Sequence, residues 1–586
     1  MNAQAAHRLR TRSLIAIDIV LLAIVLAGLC WLVVRVWDAG RALQDAAGYA
    51  RSVPDAVAAG DLGGAGIALV GFADAGADAA AVTGSPGWAL AEAAPFVGAD
   101  VRAIRVLAVQ ADSIGRATAP ASEMLTAGGI GMDADALMRL SDIAADTAGA
   151  LEDADTALAT VNPDGLMPAL GQAVTQFRDV VGQARPAATT AHAVAAFLTS
   201  LGATPDAQIL VLLQNSAEAR TGGGITGSFL LVRAAGTELE LLAQADSGMF
   251  PDRTSPIAAI PASLDALYGD VVARFVQNAS MPVDFGETAR LATAWWQSIG
   301  HGAPDAVLSL DPLVLRAVLT LTGPVPLLDG SELTPDTVVQ RLLVDPYLTQ
   351  DAEAQTATLQ AAAASIFERI AALDADPLTW VTALAEPIAE GRISLWTPDA
   401  DAQRVIAASA LGGPAARLAA SGDDAFAIYF NDATGGKMDT FLDVRVDVTS
   451  QVCRADGRSD ILIRLTMRSD APQNAGDVLP GDMTGRGLFG TGAGDIGTSV
   501  SVAAPPGTFY GGVTKDGEPE LSVDVEDAGR PTSLVRINLS PDEVNVVDFR
   551  FVSADPGDLT PTIVHTPLVN DIPVTVLPAE ALTPCA

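Results

Sequence analysis

The sequence predicts a multi-domain α+β protein in which membrane, helical, mixed and all-β segments follow one another along 586 residues. Three observations support this prediction: an apolar run near the N-terminus, helical periodicity up to about residue 200, and strand-like runs after residue 205. A chain of this length is ample for several hydrophobic cores. The expected segments are a cytoplasmic basic tail (1–13), one N-terminal transmembrane helix (14–37), an Ala-rich helical bundle or stalk (38–200), a central α/β layered domain (205–415) and a C-terminal β-sandwich (424–586).

The membrane segment is predicted from the apolar run Leu14–Val34, which is interrupted by a single aspartate. About 20 apolar residues suffice to cross a bilayer as a helix. Arginines precede the run and acidic residues follow it, so the positive-inside rule places the N-terminus in the cytoplasm and the bulk of the chain outside. The alternative is a cleaved signal peptide, but the run exceeds a usual h-region and no A-x-A-like site follows it directly. We therefore expect a single-pass plasma-membrane protein, with Trp31 and Trp37 at the outer interface.

Charge excludes one class of function. The chain has 34 Lys+Arg against 70 Asp+Glu, a formal net charge of −36. Nucleic-acid binding needs clustered Lys and Arg for phosphate contacts, so no nucleic-acid partner is expected. The lysines are Lys437 and Lys515 alone, a bias typical of GC-rich coding, which also accounts for much of the acid excess.

Cysteine and histidine usage predicts no metal site and no cofactor. Cys30 lies in the apolar run, which leaves Cys453 and Cys585 in the exported part, where two cysteines most simply form one disulfide. The four histidines are far apart in sequence and form no zinc motif. No G-x-S-x-G elbow is present to begin a Ser-His-Asp triad.

Between residues 38 and 200, apolar residues recur at spacings of three and four, as in Phe96–Pro120 and Asp133–Thr160. These stripes are rich in Ala and predict helices that pack closely. A stalk that lifts the rest of the chain off the membrane and a ligand-sensing bundle both fit this pattern.

The α/β domain is predicted from the continuous apolar runs Ile209–Leu213 and Ala306–Leu310, each typical of a strand buried on both faces. Helical stretches separate them, and a hairpin is expected from Phe229–Val232 and Leu239–Leu242. After Gly422 the chain reads mostly as strands and turns, which predicts the sandwich. Its expected strands are Phe426–Phe430, Phe441–Val448, Ile461–Met467, Val500–Ala503, Leu521–Val525, Leu534–Leu539 and Val544–Phe551.

The segment Asn215–Ser228 is the candidate site, because it follows a buried strand and combines charge with four glycines. Glycines let backbone N–H groups approach an anion, and arginine adds a planar fork for phosphate or carboxylate. The candidate anion-binding residues are Arg220, Gly222, Gly223, Gly224 and Arg253, with Glu218, Asp246 and Asp252 as support or cation ligands. The alternative is a Gly-rich hairpin corner held by an internal Glu218–Arg220 pair.

The string NSAEARTGGGITGSFLLVRAAG at residues 215–236 resembles the signature of a bacterial envelope family catalogued as domain of unknown function 4012. Further similar strings occur at 95–103, 278–285, 304–312, 323–325, 431–432 and 437–439, so the resemblance extends over most of the chain. Thr221 and the three glycines after it replace a commoner Pro-Thr-Gly-Gly arrangement. The resemblance implies an exported, membrane-anchored protein and brings no established activity. A remoter likeness of order and shape is to the LytR-CpsA-Psr glycopolymer transferases, whose arginine cluster is matched only in part.

Two functions follow from these observations. The first is a non-catalytic envelope protein, a binding or scaffold module anchored in the lipid bilayer through Leu14–Val34 whose partners are envelope glycopolymers or other envelope proteins. The second is a phosphotransferase acting on lipid-pyrophosphate-linked cell-wall glycopolymers, in which Arg220 and Arg253 hold the pyrophosphate and Asp246 or Asp252 holds Mg²⁺. The second requires both arginines to converge on one pocket. The first requires no catalytic group, and we expect it.

Overall fold

The computed structural model describes residues 3–126, 134–235, 238–373, 377–452 and 454–578. It is a mixed α+β protein, as the sequence predicts. The chain divides into two compact units, Met1–Gly131 with Asp135–His192, and Met132–Ala134 with Ala193–Ala586. Both cysteines of the predicted disulfide, Cys453 and Cys585, lie outside the described residues, so that disulfide stays a prediction.

The first unit is helical. One uninterrupted helix covers the predicted membrane run and continues well beyond it, and the later helices pack against its C-terminal half. The helices are α1 (Ala3–Ala58), α2 (Leu62–Thr83), α3 (Pro86–Glu92), α4 (Gly98–Thr126), α5 (Ala134–Ala159) and α6 (Pro168–Gly202), the last of which continues into the second unit.

Small residues set the spacing between α2 and α4. A Cβ added at Gly76 would lie 2.9 Å from the backbone of Ala111, and one at Gly115 would lie 2.7 Å from Cα of Ala73. Neither position has room for a side chain, so these two helices approach backbone to backbone. Close approach of this kind compensates for the small apolar area that each Ala buries.

Among the described residues, α2 is the helix that is long and apolar enough to cross a membrane by length and composition, with 39% of its most apolar window buried. It packs against α1 and α4 through Phe72 and Ala75, as a core helix of the bundle does. The predicted anchor Leu14–Val34 is helical throughout, as part of α1. Its place in a membrane remains a proposal.

The second unit begins with a five-stranded mixed sheet in the order β3-β2-β1-β4-β7. Strand β1 pairs antiparallel with β2 and parallel with β4. The strands are β1 (Ala207–Asn215), β2 (Ile225–Ala235), β3 (Glu238–Asp246), β4 (Ala306–Leu310) and β7 (Ile393–Trp396), with the short pair β5 (Val325–Pro326) and β6 (Glu332–Leu333) outside this sheet. The helices are α7 (Ala262–Tyr268), α8 (Phe285–Ser298), α9 (Val314–Thr322), α10 (Asp345–Thr349), α11 (Ala352–Ala372), α12 (Pro377–Ala389), α13 (Ala400–Ala407) and α14 (Pro414–Ala420).

Helices cover both faces of this sheet, which explains why β1 reads as an unbroken apolar run. Leu210 and Leu212 pack on the side of α8, whereas Val211 packs on the side of α11. Alternate residues of a strand point to opposite faces, so a strand covered on both sides must be apolar at every position. This layering places the polar C-terminal end of β1 at one edge of the α/β layer.

Two sheets form the rest of the second unit, in the orders β13-β12-β16-β10-β9-β18 and β14-β15-β11-β8-β17. Their facing apolar side chains, such as Phe426, Val446 and Phe549, share one core. The elements are β8 (Ala425–Asp432), β9 (Leu442–Val452), β10 (Arg458–Ser469), α15 (Ala475–Val478), α16 (Gly481–Thr484), β11 (Ile496–Ala503), β12 (Phe509–Lys515), β13 (Glu518–Glu520), β14 (Val523–Asp527), β15 (Arg530–Leu539), β16 (Val544–Pro556), β17 (Thr562–His565) and β18 (Val574–Val576).

Candidate functional site

The loop between β1 and β2, which carries the candidate residues, is bound to the β-sandwich. The Ala219 amide donates to Asp439 Oδ2 at 2.7 Å, and the Ala219 carbonyl accepts from the Asp432 amide at 2.8 Å. The Thr221 amide donates to Asn431 Oδ1 at 3.0 Å. The loop therefore joins the end of β1 to the end of β8, more than 200 residues away in sequence.

Arg220 is buried, and each of its three guanidinium nitrogens donates to a protein group. Its Nε and one terminal nitrogen donate to Asn278 Oδ1 at 3.1 and 2.9 Å. The other terminal nitrogen donates to the carbonyls of Ala219 and Asp432 at 2.8 and 3.2 Å and lies 3.8 Å from Asp432 Oδ2. Arg220 thus holds the loop to β8 and to the Asn278 segment.

The expected pair between Glu218 and Arg220 does not form. Glu218 pairs with Lys437 instead. The two side chains form a buried ion pair. The ammonium of Lys437 also lies 4.3 Å from the ring centroid of Tyr347, a cation–π contact. The Tyr347 hydroxyl in turn accepts from Asn215 Nδ2 at 3.1 Å. Each charge of the loop is therefore matched by a residue distant in sequence.

The three candidate glycines direct their N–H groups to protein acceptors. Gly222 donates to the Ser280 carbonyl at 3.0 Å, Gly223 to the Arg220 carbonyl at 2.7 Å, and Gly224 to Gln214 Oε1 at 3.0 Å. A Cβ at Gly224 would lie 2.2 Å from the Asn215 carbonyl, and Gly223 has a φ of +125°. In this conformation the glycines form a tight turn, and none of their three N–H groups is left for an anion.

The contacts described for the other candidates do not include Arg220. The Arg253 amide donates to the Arg274 carbonyl at 3.1 Å, and Asp252 is exposed. Asp246 accepts from the Gly248 amide at 2.8 Å. Within the ranges that the structure describes, no group of three or more His, Cys, Asp or Glu side chains is placed to hold a metal ion. The anion-binding and cation-binding roles of these residues stay predictions.

Two cationic and three carboxyl side chains are buried together around the loop: Arg220, Lys437, Glu218, Asp432 and Asp439. Burial raises the pKa of Asp432 to about 6, with the Arg220 charge opposing the rise and the Glu218 charge adding to it. Burial and the charge of Asp432 raise the pKa of Asp439 well above its usual value. Burial is the largest influence on Lys437 and lowers its pKa, but Glu218, Tyr347 and Asp432 together outweigh burial and raise the pKa.

These shifts predict a pH-dependent stability of the second unit. Because the folded pKa of Asp432 lies above the unfolded value of 3.8, the folded state binds protons more tightly. The contribution of Asp432 to stability is therefore full below about pH 4 and is lost as the pH rises through about 6. We expect Asp432→Asn to weaken the unit overall, because an acceptor for the Gly435 amide is lost, and to flatten this slope. Urea midpoints measured across this pH range test the prediction, with the exposed Asp401→Asn as a control that keeps the wild-type slope.

A cavity of about 430 Å³ lies in the α/β layer, between the sheet and α11. Its walls are apolar and come from β1, β2, β4 and α11, with Val211, Leu308 and Phe367 among them. At the C-terminal end of β1 the lining turns polar and includes Asn215, Tyr347, Lys437 and the predicted site residue Asp246. Neither Arg220 nor Arg253 is among its lining residues.

Sequence reasoning assigned no role to Tyr347, Lys437, Asp432, Asn431 or Asn278, although all contact the loop network. A signal for four of them was available. Asn278, Asn431, Asp432 and Lys437 lie in the distant strings that resemble the same family as the loop. What these four residues share is contact with the loop between β1 and β2.

Residues 205–347 match a family model described as "Protein of unknown function (DUF4012)". The resemblance stated from the sequence is therefore confirmed over this segment, which contains β1 to β4, the loop and Tyr347. A search of curated proteins returns no match. The likeness to the LytR-CpsA-Psr transferases stays an analogy.

Proposed function

We propose that this chain, which carries a DUF4012 domain at residues 205–347, is a membrane-anchored extracytoplasmic protein of the cell envelope that binds an apolar ligand. The observation that carries the proposal is the cavity beneath α11, since its volume of about 430 Å³ falls in the range of small-molecule sites. The apolar run Leu14–Val34, helical in α1, supplies the proposed anchor.

The chemistry of the cavity supports an amphiphile with a long apolar chain. Leu, Val and Ile side chains from three strands, together with α11, offer surface for a hydrocarbon tail. At the polar end, the Lys437 charge is compensated by Glu218. Asn215, Tyr347 and Asp246 add groups that hydrogen-bond. A neutral or hydroxylated head group suits this end better than a multiply charged one.

The transferase alternative has weaker support. It needs Arg220 and Arg253 to converge on one pocket, and neither lines this cavity. Arg220 is engaged by Asn278 and Asp432, so a pyrophosphate would have to displace protein partners. We therefore favour binding without catalysis.

Blocking the cavity tests the proposal. We expect Ala363→Trp to reduce labelling of α11 peptides by a diazirine-tailed fatty alcohol by about tenfold, because the indole fills the space that the tail would occupy. Ala357→Trp on the exposed side of the same helix is the matched control and keeps wild-type labelling. Full-length protein in detergent is labelled and mapped by mass spectrometry. Equal labelling of both variants, with both folded by thermal melting, overturns the proposal.

A further inference from the structure

We propose that the connection between α2 and α4, residues 84–97 including α3, rests on the outer surface of the membrane that α1 is proposed to cross. The inference depends on the anchor of the proposed function and adds a second contact with lipid. The surface that this connection contacts is the interfacial layer of a bilayer that contains anionic lipid.

The connection lies beside the last residues of the predicted span. A Cβ at Gly87 would lie 2.5 Å from the ring of Trp31, which is three residues before Val34. Leu32 and Val36 pack against the cluster that contains Trp88 and Val101. Since a helix rises about 1.5 Å per residue, α3 sits within one or two turns of the point where the predicted span ends.

Large apolar side chains are exposed on this connection. Leu90 is 78% exposed and Phe96 is 100% exposed, while Val97 is 39% exposed. Phe96 also has a φ of +72°, a left-handed conformation that is uncommon for a bulky residue. Water is a poor environment for these side chains, whereas the interface of a bilayer accepts them.

The connection between α5 and α6 adds to the same surface. The Met167 amide donates to Asp100 Oδ1 at 2.8 Å, which ties this connection to the first turn of α4. Met167 is itself 54% exposed. At the opposite end of α1 and α2, the connecting residues 59–61 are Ala, Gly and Asp, without a large apolar side chain. Of the connections that the structure describes, those at residues 84–97 and 160–167 carry exposed large apolar side chains, and the one at 59–61 does not.

Exposed arginines at this end can contact anionic lipid. Arg41 stacks over the ring of the exposed Trp37, with its guanidinium carbon 4.8 Å from the centroid. Arg102, on the first turns of α4, is exposed, and Arg105 pairs with Glu92. Arginine and tryptophan together are typical of residues at the head-group level. Four carboxylates balance the four arginines of residues 35–45 and 84–105, so this end lacks the acid excess of a chain of net charge −36. Anionic head groups can therefore approach Arg41 and Arg102.

Photolabelling in vesicles tests the inference. The full-length protein is reconstituted into vesicles of phosphatidylcholine and phosphatidylglycerol that contain a lipid with a diazirine near its head group, and labelled peptides are mapped. We expect labels in the α1 peptides at the ends of Leu14–Val34 and in the peptide that carries Leu90 and Phe96. Labels in α1 alone overturn the inference and leave the anchor intact. Labels in neither overturn both.

Variants make the test quantitative. We expect the double variant Leu90→Ser, Phe96→Ser to lower labelling of its own peptide by about tenfold relative to α1, because the apolar contacts are lost. Both side chains are exposed, so folding is expected to persist. Ile67→Ser, at a 68% exposed position of α2 far from the span, is the matched control and leaves the 84–97 labelling unchanged. Unchanged labelling in the double variant contradicts the inference.

Discussion

Replacing Arg220 with Met is expected to lower the free energy of unfolding of the second unit by about 3–5 kcal/mol, the cost of breaking a buried ion pair. The substitution keeps an apolar stem of similar length but removes all donors to Asn278, Ala219 and Asp432. Asp432 then remains buried without its cation, and two carbonyl groups lose a hydrogen bond. Such orphaned groups cost more than the ion pair itself contributes.

The matched control is Arg233→Met, in the strand that follows the same loop. Arg233 is 41% exposed and pairs with the exposed Glu240, so its loss is expected to cost about 0–1 kcal/mol. Hydrogen exchange of peptides from β1 and β8, measured against urea concentration, reports the unfolding of this unit. Equal effects of the two substitutions would show that Arg220 is not the group that holds the loop to β8.

Lys437→Met is the second substitution with a large expected effect, again about 3–5 kcal/mol. It leaves Glu218 buried without a cation and removes the contact with the Tyr347 ring. Adding Glu218→Leu to this variant is expected to recover much of the loss, because replacing both partners of a buried pair with apolar residues is often neutral. A double-mutant cycle measures this coupling directly.

Lys515 is the natural control, since Lys437 and Lys515 are the lysines of the chain. Lys515 ends the strand β12 and is only half-buried, so Lys515→Met is expected to stay within about 0.5 kcal/mol of wild type. If the single Lys437→Met variant is as stable as Lys515→Met, the pair with Glu218 does not stabilise the loop. Urea midpoints of the second unit distinguish the two results.

Elements with strong local patterns were predictable from the sequence. The runs Ile209–Leu213 and Ala306–Leu310 are β1 and β4, and each of the seven predicted sandwich strands has a counterpart. The strand β12 was missed because it contains Gly511 and Gly512, which usually weaken strands. At this site a Cβ on Gly511 would lie 2.9 Å from Arg550, and the pairing with β16 shifts register there. Gly511 thus lies at a β-bulge, and the local sequence pattern does not predict this bulge.

The candidate site was harder to predict because its partners are distant in sequence. Glu218 and Arg220 are near neighbours along the chain, which favours a local pair when only the sequence is considered. Their observed partners, Lys437 and Asp432, lie 219 and 212 residues away. Which cation meets which carboxylate depends on how β8 packs against the loop. The cavity beneath α11 was also missed, since its walls are ordinary core residues and only their spacing leaves room.

The unbroken length of α1 has a mechanical consequence. With Leu14–Val34 in the bilayer, the same helix continues through Ala58, and its last 24 residues extend about 36 Å without a flexible joint between membrane and bundle. A change in the tilt of the membrane segment would therefore turn the helices packed on α1 as one body. Bilayer thickness influences helix tilt, so on the proposed anchoring a change in thickness would change the orientation of the helical bundle.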